Sequence, residues 1–408
     1  MLGSLLWRRP AAVAWLFLSA SLLAACGSSN TPSSSQPQAA APATEAVQPP
    51  AAVTQPPETT APPLPAGTKI KVALLLPLSG PNAAFGGGML DAAQMALFDI
   101  ADDRLELAPQ DTKGTPEGAA DAARAALADG AKLIIGPLLA AEVEAVKPLA
   151  HAANVPVLAF STSTQLAGDG TWLIGFLPKA EIDRVVDFAH AKGAMRFGVL
   201  APRTPYGEIT VDAARDAVQR NGASLSQIEF FDPAAPDLTQ TVQKFAAANP
   251  GMDALLLPEG GTRLKTLAPL LPYYKIDPEK VHFLGTGLWD EPGTGTEPAL
   301  VGGWYAAPTP GARADFEKRF SDVYHRAPPR LATLAYDATA LAAVLAHSGA
   351  GDFSAAAITN PSGFAGVDGI FRLLPDGLVQ RGLAVIEVHK DANTVVDPAP
   401  ETFQAATQ

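Results

Sequence analysis

The stretch that decides the fold is KIKVALLLPLSGPNAAF, from Lys69 to Phe85. Its centre, Val72–Leu76, is a continuous apolar run bounded by Pro77 and Gly80, which is typical of a parallel strand buried on both faces. Small apolar residues at helical spacing follow the run. The stretch therefore predicts a strand, a tight turn and the start of a helix.

The same alternation continues along the chain. Predicted strands at Leu105–Pro109, Lys132–Ile135 and Val155–Phe160 are separated by predicted helices at Pro116–Asp129 and Ala141–Ala153. Strands that alternate with helices of this length predict βαβ units, parallel sheets and right-handed crossovers. Because the rhythm restarts after residue 170, we predict an α/β protein with two similar lobes that face a cleft.

The C-terminal part departs from this rhythm. Two apolar runs, Phe371–Leu373 and Leu383–Val388, flank the segment Pro375-Asp376-Gly377. Since Asp-Gly is a strong signal for a two-residue turn, we expect these runs to pair as an antiparallel hairpin.

Composition and charge exclude several classes of function. The 408 residues are 48% hydrophobic and 17% charged, which suits a globular protein with a large core. Nucleic acid is not expected as a partner, because phosphate binding needs basic surface and the formal net charge is −12. The chain has one cysteine, so it cannot build an internal disulfide or a cysteine-based metal site.

The N-terminal residues 1–26 have the layout of an export signal. Two arginines precede Ala11–Ala25, an uncharged apolar run too short to span a membrane comfortably. The run ends in Leu-Leu-Ala-Ala before Cys26 and Gly27, which resembles a bacterial lipobox. This resemblance implies cleavage before Cys26, lipidation of its thiol and attachment to the periplasmic face of a bacterial membrane. Glycine rather than aspartate after the cysteine favours the outer membrane.

A linker follows, from Gly27 to Thr68. It is rich in Ser, Gln, Thr, Pro and Ala and has no periodic apolar residues, so it cannot bury enough surface to offset the entropy of ordering. In a polyproline-like state it would reach about 130 Å, at about 3.1 Å per residue. We therefore predict a disordered tether over residues 27–68.

The chain shows no catalytic signature. It has no Walker-type phosphate loop, no dinucleotide glycine pattern and no serine in a nucleophile elbow. The six histidines are scattered and no two of them have a zinc-binding helical spacing. We therefore predict a protein that is not an enzyme and that has neither a metal nor a cofactor.

Polar loops follow several predicted strands. In open parallel sheets, ligands lie beyond the carboxyl ends of the strands, and free amides at helix N-termini suit a carboxylate. Each loop also has a purely structural explanation, as a helix cap, a core tyrosine or a solvated acid. Four such loops at equivalent positions favour a ligand site, with candidate residues Ser79, Ser161, Thr162, Ser163, Tyr206, Glu259 and Gly260.

These and other segments resemble a known family. The matching pieces are KVALLLPLSGP, Ile135-Gly136-Pro137, VPVLAFSTST at 155–164, Tyr206-Gly207, Ala335-Tyr336-Asp337-Ala338 and FAGVDGIFRLLPDG. In this order and spacing, the chain resembles type I periplasmic binding proteins of the leucine/isoleucine/valine-binding class. The resemblance implies a domain over residues 69–395, with two lobes joined by three crossovers that close on a ligand.

The resemblance also implies lobe boundaries and residue roles. One lobe would comprise about 69–185 and 308–358, the other about 186–307 and 359–395, with a flexible tail at 396–408. Ser161–Thr164 would bind the amino-acid end of the ligand, Tyr206 would flank the cleft and Glu259 would pair with an α-amine. After Gly-Pro, however, amino-acid binders of this class place a serine that holds the carboxylate, and here Leu138-Leu139-Ala140 follows.

A second family shares the fold. Asp111–Val146 is similar to penicillin-binding-protein activator lipoproteins, which carry such a domain on an outer-membrane lipid anchor. Two functions therefore stay open. In the first, the protein captures a small amino-acid-like ligand for transport or sensing, together with a membrane permease. In the second, it regulates a penicillin-binding protein. We place solute binding first, because the binding loops are retained.

Overall fold

The computed structural model describes residues 69–100, 104–248, 251–348 and 351–403. The expected signal peptide, the lipidation site at Cys26, the tether and the last five residues lie outside these ranges. In the part of the chain that is described, no helix has the length and apolar character needed to cross a membrane.

Strands and helices alternate through most of these ranges. The strands are β1 (Ile70–Leu76), β2 (Leu105–Asp111), β3 (Leu133–Ile135), β4 (Val157–Ala159), β5 (Thr171–Leu173), β6 (Arg196–Pro202), β7 (Ser224–Phe231), β8 (Ala254–Leu256), β9 (His282–Gly285), β10 (Trp304–Ala307), β11 (Phe364–Gly366), β12 (Gly369–Leu373), β13 (Val379–Arg381), β14 (Ala384–Glu387) and β15 (Thr394–Asp397). The helices are α1 (Ala83–Ile100), α2 (Pro116–Ala128), α3 (Ala140–Ala152), α4 (Pro178–Ala191), α5 (Pro205–Arg220), α6 (Thr239–Ala247), α7 (Gly261–Leu267), α8 (Leu270–Tyr273), α9 (Pro310–Tyr324), α10 (Ala332–Ser348) and α11 (Ala355–Ile358).

The first lobe is built on a parallel sheet in the order β2-β1-β3-β4-β5. Successive residues of β1 enter two different cores, because side chains alternate across a strand. Val72 and Leu74 pack beside α1 and α10, whereas Ala73 and Leu75 pack beside α2 and α3. The prediction that this strand is buried on both faces is therefore confirmed.

The second lobe is built on a mixed sheet in the order β15-β14-β10-β9-β8-β6-β7. Strand β14 runs antiparallel to both of its neighbours, β10 and β15, and the other neighbours in the sheet are parallel. Helices α4 and α5 cover one face, while α6, α7 and α8 cover the other. Together the two lobes confirm the predicted two-lobed α/β fold.

The chain crosses between the lobes three times, as expected, but at different residues. The crossings lie between β5 and α4, between β10 and α9, and between β13 and β14. Helix α4 packs in the second lobe through Ile182 and Val185, slightly before the expected boundary at about residue 185. Strands β12 and β13 pack in the core of the first lobe through Phe371 and Val379, beyond the expected return at about residue 359.

The C-terminal hairpin has a different second strand from the predicted one. Around Asp376-Gly377, β12 pairs with β13, while the apolar segment within Leu383–Val388 forms β14 and pairs with β10. Leu173 of β5 donates its backbone N–H to the carbonyl of Gly377 over 2.8 Å, which ties the hairpin to the first lobe. Strand β15 extends to Asp397, two residues beyond the expected end of the domain at 395.

Candidate functional site

A cleft of about 720 Å³ opens at the carboxyl ends of strands from both sheets. Its volume lies within the range of small-molecule sites. From the first lobe and its crossovers it is lined by Asn82, Phe85, Leu138–Ala140, Phe160–Ser163, Phe176, Pro308, Arg330, Leu331 and Leu334. From the second lobe it is lined by Pro178, Glu181, Pro205, Tyr206, Ile209, Gly287 and Leu288.

The serine and threonine loop after β4 lies at the cleft. Ser161, Thr162 and Ser163 all line it. Ser161 is buried, and its Oγ accepts a hydrogen bond from the backbone N–H of Ser163 over 3.2 Å. This turn fixes the loop and leaves its hydroxyl groups at the wall of the cleft.

Tyr206 lines the cleft from the N-terminus of α5. The next residue must be Gly207, because a Cβ there would lie 1.8 Å from the carbonyl oxygen of Pro202. The Tyr206 hydroxyl lies 2.9 Å from Thr286 Oγ1. Burial, with the nearby carboxyl of Glu181, raises the pKa of Tyr206 well above its ordinary value. The side chain is therefore a neutral hydrogen-bonding group at physiological pH.

Three other predicted residues lie away from the cleft lining. Ser79 is exposed, and its backbone N–H donates to Asp111 Oδ1 over 3.1 Å. Glu259 accepts from the N–H of Gly260 over 3.0 Å, and burial raises its pKa. A Cβ on Gly260 would lie 2.9 Å from the carbonyl oxygen of Leu288. The loop at Gly260 therefore packs behind Leu288, which lines the cleft. Four of the seven candidate residues share the cleft wall and three do not.

The segment that replaces the expected serine forms an apolar wall. Leu138, Leu139 and Ala140 line the cleft directly after a cis Gly136–Pro137 bond. Glu142, which is fully buried, holds this wall in place. Its two carboxylate oxygens accept from Thr112 Oγ1 over 2.6 Å and from the backbone N–H of Leu139 over 3.0 Å.

Sequence reasoning missed Glu181, a buried acid on α4 that lines the cleft. Its Oε2 atom accepts a hydrogen bond from the backbone N–H of Gly287 over 2.9 Å. Burial raises the pKa of Glu181 to about 7, although the Gly287 N–H and the positive charge of Arg330 act in the opposite direction. The carboxyl group therefore gains and loses its proton near neutral pH.

Sequence reasoning also missed Arg330, the cationic side chain in the cleft lining. Its guanidinium carbon lies 4.2 Å from the ring centroid of Phe176. Arg381 lies over the same ring at 4.9 Å and is buried, with its Nη2 atom donating to the carbonyl of Ile174 over 2.6 Å. Two guanidinium groups thus contact one aromatic ring at the junction of the lobes.

Two aspartates balance these arginines. Asp368 is buried and lies 3.5 Å from Arg330. Asp337, on α10, is buried as well and accepts from the backbone N–H of Val367 over 2.8 Å. Burial, and then the charge of Asp368, raise the pKa of Asp337 to about 7. Among the described residues, Oδ2 of each aspartate and two nitrogens of Arg381 are buried without a hydrogen bond.

These charged residues share no sequence motif that would have revealed them. Glu181 lies in the first turn of a helix, where an acid is the ordinary complement of the helix dipole. Arg330 and Arg381 are far from it in the sequence and isolated in their segments. Only the crossovers between the lobes bring them together.

One curated relative matches part of the chain. An uncharacterised protein of Rickettsia prowazekii is 24% identical over 221 residues, which are 54% of this chain. The matched region spans 56% of the length of that relative.

Solved structures share the fold over most of the chain. An ABC transporter substrate-binding protein from Sphaerobacter thermophilus superimposes with a TM-score of 0.69 at 20% identity, covering 82% of this chain and 98% of the other. The substrate-binding protein of a branched-chain amino acid transporter from Streptococcus pneumoniae, in complex with isoleucine, superimposes with a TM-score of 0.59 at 18% identity. That comparison covers 81% of this chain and 100% of the other.

The sequence also matches a family profile. The profile described as periplasmic binding protein aligns with residues 69–393, which include all three crossovers, every residue of the cleft and both lobes except β15. The chain therefore belongs to the periplasmic binding protein family.

Proposed function

We propose that the chain is an extracytoplasmic solute-binding lipoprotein that captures a small amino-acid-like ligand in its cleft, for transport or sensing, without converting it chemically. One observation carries the proposal. The cleft of about 720 Å³ combines an apolar lining with a few convergent polar groups, which is the usual composition of a ligand site. The isoleucine complex of a protein with the same fold supports this class of ligand.

The two kinds of lining residue suit the two ends of such a ligand. The wall at Leu138–Ala140 and the ring of Phe160 would contact an apolar side chain, whose burial stabilises the complex by about 25 cal/mol per Å². The hydroxyls at Ser161–Ser163 and the guanidinium of Arg330 would bind the polar end. Because both lobes contribute, closure about the crossovers would bury the ligand and exclude water.

The proposal also includes the attachment of the protein to a membrane. The Cys26 lipid and the tether would hold the domain at the periplasmic face of a bacterial membrane, with the outer membrane favoured. A lipid chain anchors by burying methylene groups, at about 0.8 kcal/mol each. In the transport role, the partner would be a membrane permease.

Thermal unfolding with a ligand panel tests the solute-binding function. A ligand that binds only the folded chain adds about 2.7 kcal/mol at a hundredfold excess over its dissociation constant, so its midpoint rises. The panel is branched-chain and aromatic amino acids with the matching carboxylic acids. We expect a shift in the wild type, none in Ala140→Trp, which fills the cleft, and a normal shift in Ala141→Trp, an exposed neighbour outside the lining. No shift with any compound would contradict the proposal.

A second candidate is regulation of a penicillin-binding protein. It is favoured by Leu138 and Leu139, which occupy the position where a carboxylate-binding hydroxyl was expected. The resemblance of Asp111–Val146 to activator lipoproteins points the same way. Capture of a purified bifunctional penicillin-binding protein by the immobilised chain would support this function. No complex in detergent at micromolar concentration would refute it.

A further inference from the structure

Arg330 lines the cleft with a guanidinium group that makes few hydrogen bonds to the described residues. A guanidinium group has five N–H donors, yet the hydrogen bond of this group to a described residue is a long one, 3.5 Å from Nη1 to Asp368 Oδ1. The side chain is 33% exposed, and its guanidinium carbon lies over the ring of Phe176, 4.2 Å from the centroid. The remaining donors match the geometry of a carboxylate, which arginine binds through two parallel hydrogen bonds.

Glu181 reaches the same cleft from the second lobe. The Gly287 N–H occupies its Oε2 atom, and the structure gives Oε1 no hydrogen-bond partner among the residues it describes. In its protonated form, the carboxyl group can donate one hydrogen bond from Oε1. Since burial raises its pKa to about 7, this form is well populated at neutral pH.

Charged groups from both lobes face Glu181. Arg330 and Arg381 act on it from the first lobe, Asp290 acts on it from the loop after β9, and the neutral hydroxyl of Tyr206 lies near it on α5. The two arginines are themselves balanced by the buried Asp368 and Asp337. Asp290 is itself neutralised by its ion pair with Arg313. Glu181 is the acidic residue among the described residues that line the cleft. A ligand ammonium group would have to pair with the ionised form of this carboxyl group, which is desolvated.

We propose that Arg330 and Glu181, one on each lobe, form a carboxylate clamp that selects apolar monocarboxylic acids and does not require an α-amine. This inference rests on the proposed solute-binding function. Arg330 binds the ligand carboxylate through its unused N–H groups, and protonated Glu181 donates a further hydrogen bond to it. A carboxylate held by both groups joins the two lobes and favours the closed cleft.

The clamp makes binding dependent on pH. Because the ligand anion interacts with the protonated form of Glu181, binding raises the affinity of this carboxyl group for its proton. The complex therefore takes up protons near pH 7. Affinity falls as the pH rises above 7, by up to about tenfold per pH unit. A ligand whose ammonium paired with Glu181 would show the opposite sign and release a proton.

Calorimetric titration of the full chain with 4-methylpentanoate, 4-methylpentanamide and leucine tests the clamp. These probes share one apolar body and differ in the carboxylate and the amine. Each is measured at pH 7 in two buffers with different ionisation enthalpies, which gives the number of protons exchanged. The variants are Arg330→Gln and Glu181→Gln, and the matched controls are Arg215→Gln and Glu208→Gln, both on the exposed face of α5.

We expect the wild type to bind the acid at least about tenfold more tightly than the amide, as for a charge-assisted pair of hydrogen bonds. Arg330→Gln should remove this preference, Glu181→Gln should abolish proton uptake, and the controls should change neither. Because the acid-to-amide ratio is measured on the wild type, the test does not depend on the folding of a variant.

Two results would overturn the clamp and leave the proposed function standing. One is binding of the amide as tight as that of the acid, or binding of leucine tighter than that of the acid, and the other is proton release on binding. Failure of all three probes and of the wider panel would overturn the clamp and the proposed function together.

Discussion

The guanidinium carbon of Arg330 lies 4.2 Å from the ring centroid of Phe176, at the junction between the lobes. Phe176 belongs to the first crossover, and Arg330 lies between the second crossover and α10. Arg381, which directly precedes the third crossover, contacts the same ring. One aromatic side chain therefore links the first and third crossovers, and it also contacts the cation that faces the cleft.

The first prediction concerns this ring. Phe176→Leu should lower the free energy of unfolding by about 2 kcal/mol, because it removes contacts with two cations, each worth about 0.5–2 kcal/mol. It should also weaken binding of 4-methylpentanoate, since Arg330 loses its orienting surface. Urea unfolding and calorimetry measure the two effects. The control is Phe98→Leu, on the exposed surface of α1, which should change stability by less than about 0.5 kcal/mol.

Equal stability of the two leucine variants, with unchanged binding, would show that the ring has no special role at the junction. A loss of stability without a loss of binding would assign Phe176 to the core alone and separate it from ligand recognition.

The second prediction concerns pH. Burial raises the pKa of Asp337 and of Glu181 to about 7 in the folded chain, whereas both acids have values near 4 when unfolded. Between these values the folded chain binds more protons than the unfolded chain. The free energy of unfolding should therefore fall as the pH rises from 5 to 7, by up to about 1.4 kcal/mol per pH unit for each group, and level off above pH 7.

Chemical denaturation at several pH values, with Asp337→Asn beside the wild type, measures this slope. The variant keeps an oxygen that accepts from Val367 but removes one titrating group, so its slope should be smaller. Asp322→Asn, on the exposed surface of α9, should keep the wild-type slope. A wild type and an Asp337→Asn variant with the same pH dependence would contradict a raised pKa.

The third prediction concerns the apolar wall. Glu142→Gln should lower the free energy of unfolding by about 1–3 kcal/mol, because a glutamine has one acceptor oxygen and cannot serve both Thr112 Oγ1 and the Leu139 N–H. The loosened wall should also weaken ligand binding. Glu144→Gln, on the exposed face of the same helix, should have neither effect. Matching behaviour of the two variants would contradict a bracing role for Glu142.

The fourth prediction concerns the membrane anchor. Cys26→Ser should move the protein from the membrane fraction to the soluble periplasmic fraction, because the thiol is the expected site of lipidation. Membrane fractionation and mass spectrometry of the N-terminal peptide provide the readout. The matched control is Ser28→Ala, two residues further along, which should stay in the membrane fraction. Retention of Cys26→Ser in the membrane would show that the attachment has another origin.

Much of the fold could be predicted because its strands lie in apolar runs of distinctive length. Val72–Leu76 is recognisable since both faces of the central strand are buried, and this requires a continuous apolar run. The C-terminal pairing was mispredicted because Asp376-Gly377 specifies a turn but not its partner strand. The true partner, Val379–Arg381, has three residues and two polar side chains, whereas Ala384–Glu387 belongs to the other sheet.

The candidate site could be predicted only where it depends on strand ends. Ser161 and Tyr206 follow strands directly, so the topology alone places them at the cleft. Glu181, Arg330 and Phe176 are brought to the cleft by the crossovers, which form no local pattern. Glu259 follows a strand too, but the loop at Leu288 lies in front of it, and the sequence contains no signal for such loop packing.

The central claim is that the cleft holds a small solute, and native mass spectrometry of the full chain purified from its own membrane tests it most directly. We predict a non-covalent adduct of a small carboxylic acid on the wild type and on Ala141→Trp. The same adduct should be absent from Ala140→Trp, whose new side chain fills the cleft. An adduct on all three proteins alike, or no adduct on the wild type even after incubation with the ligand panel, would contradict the claim.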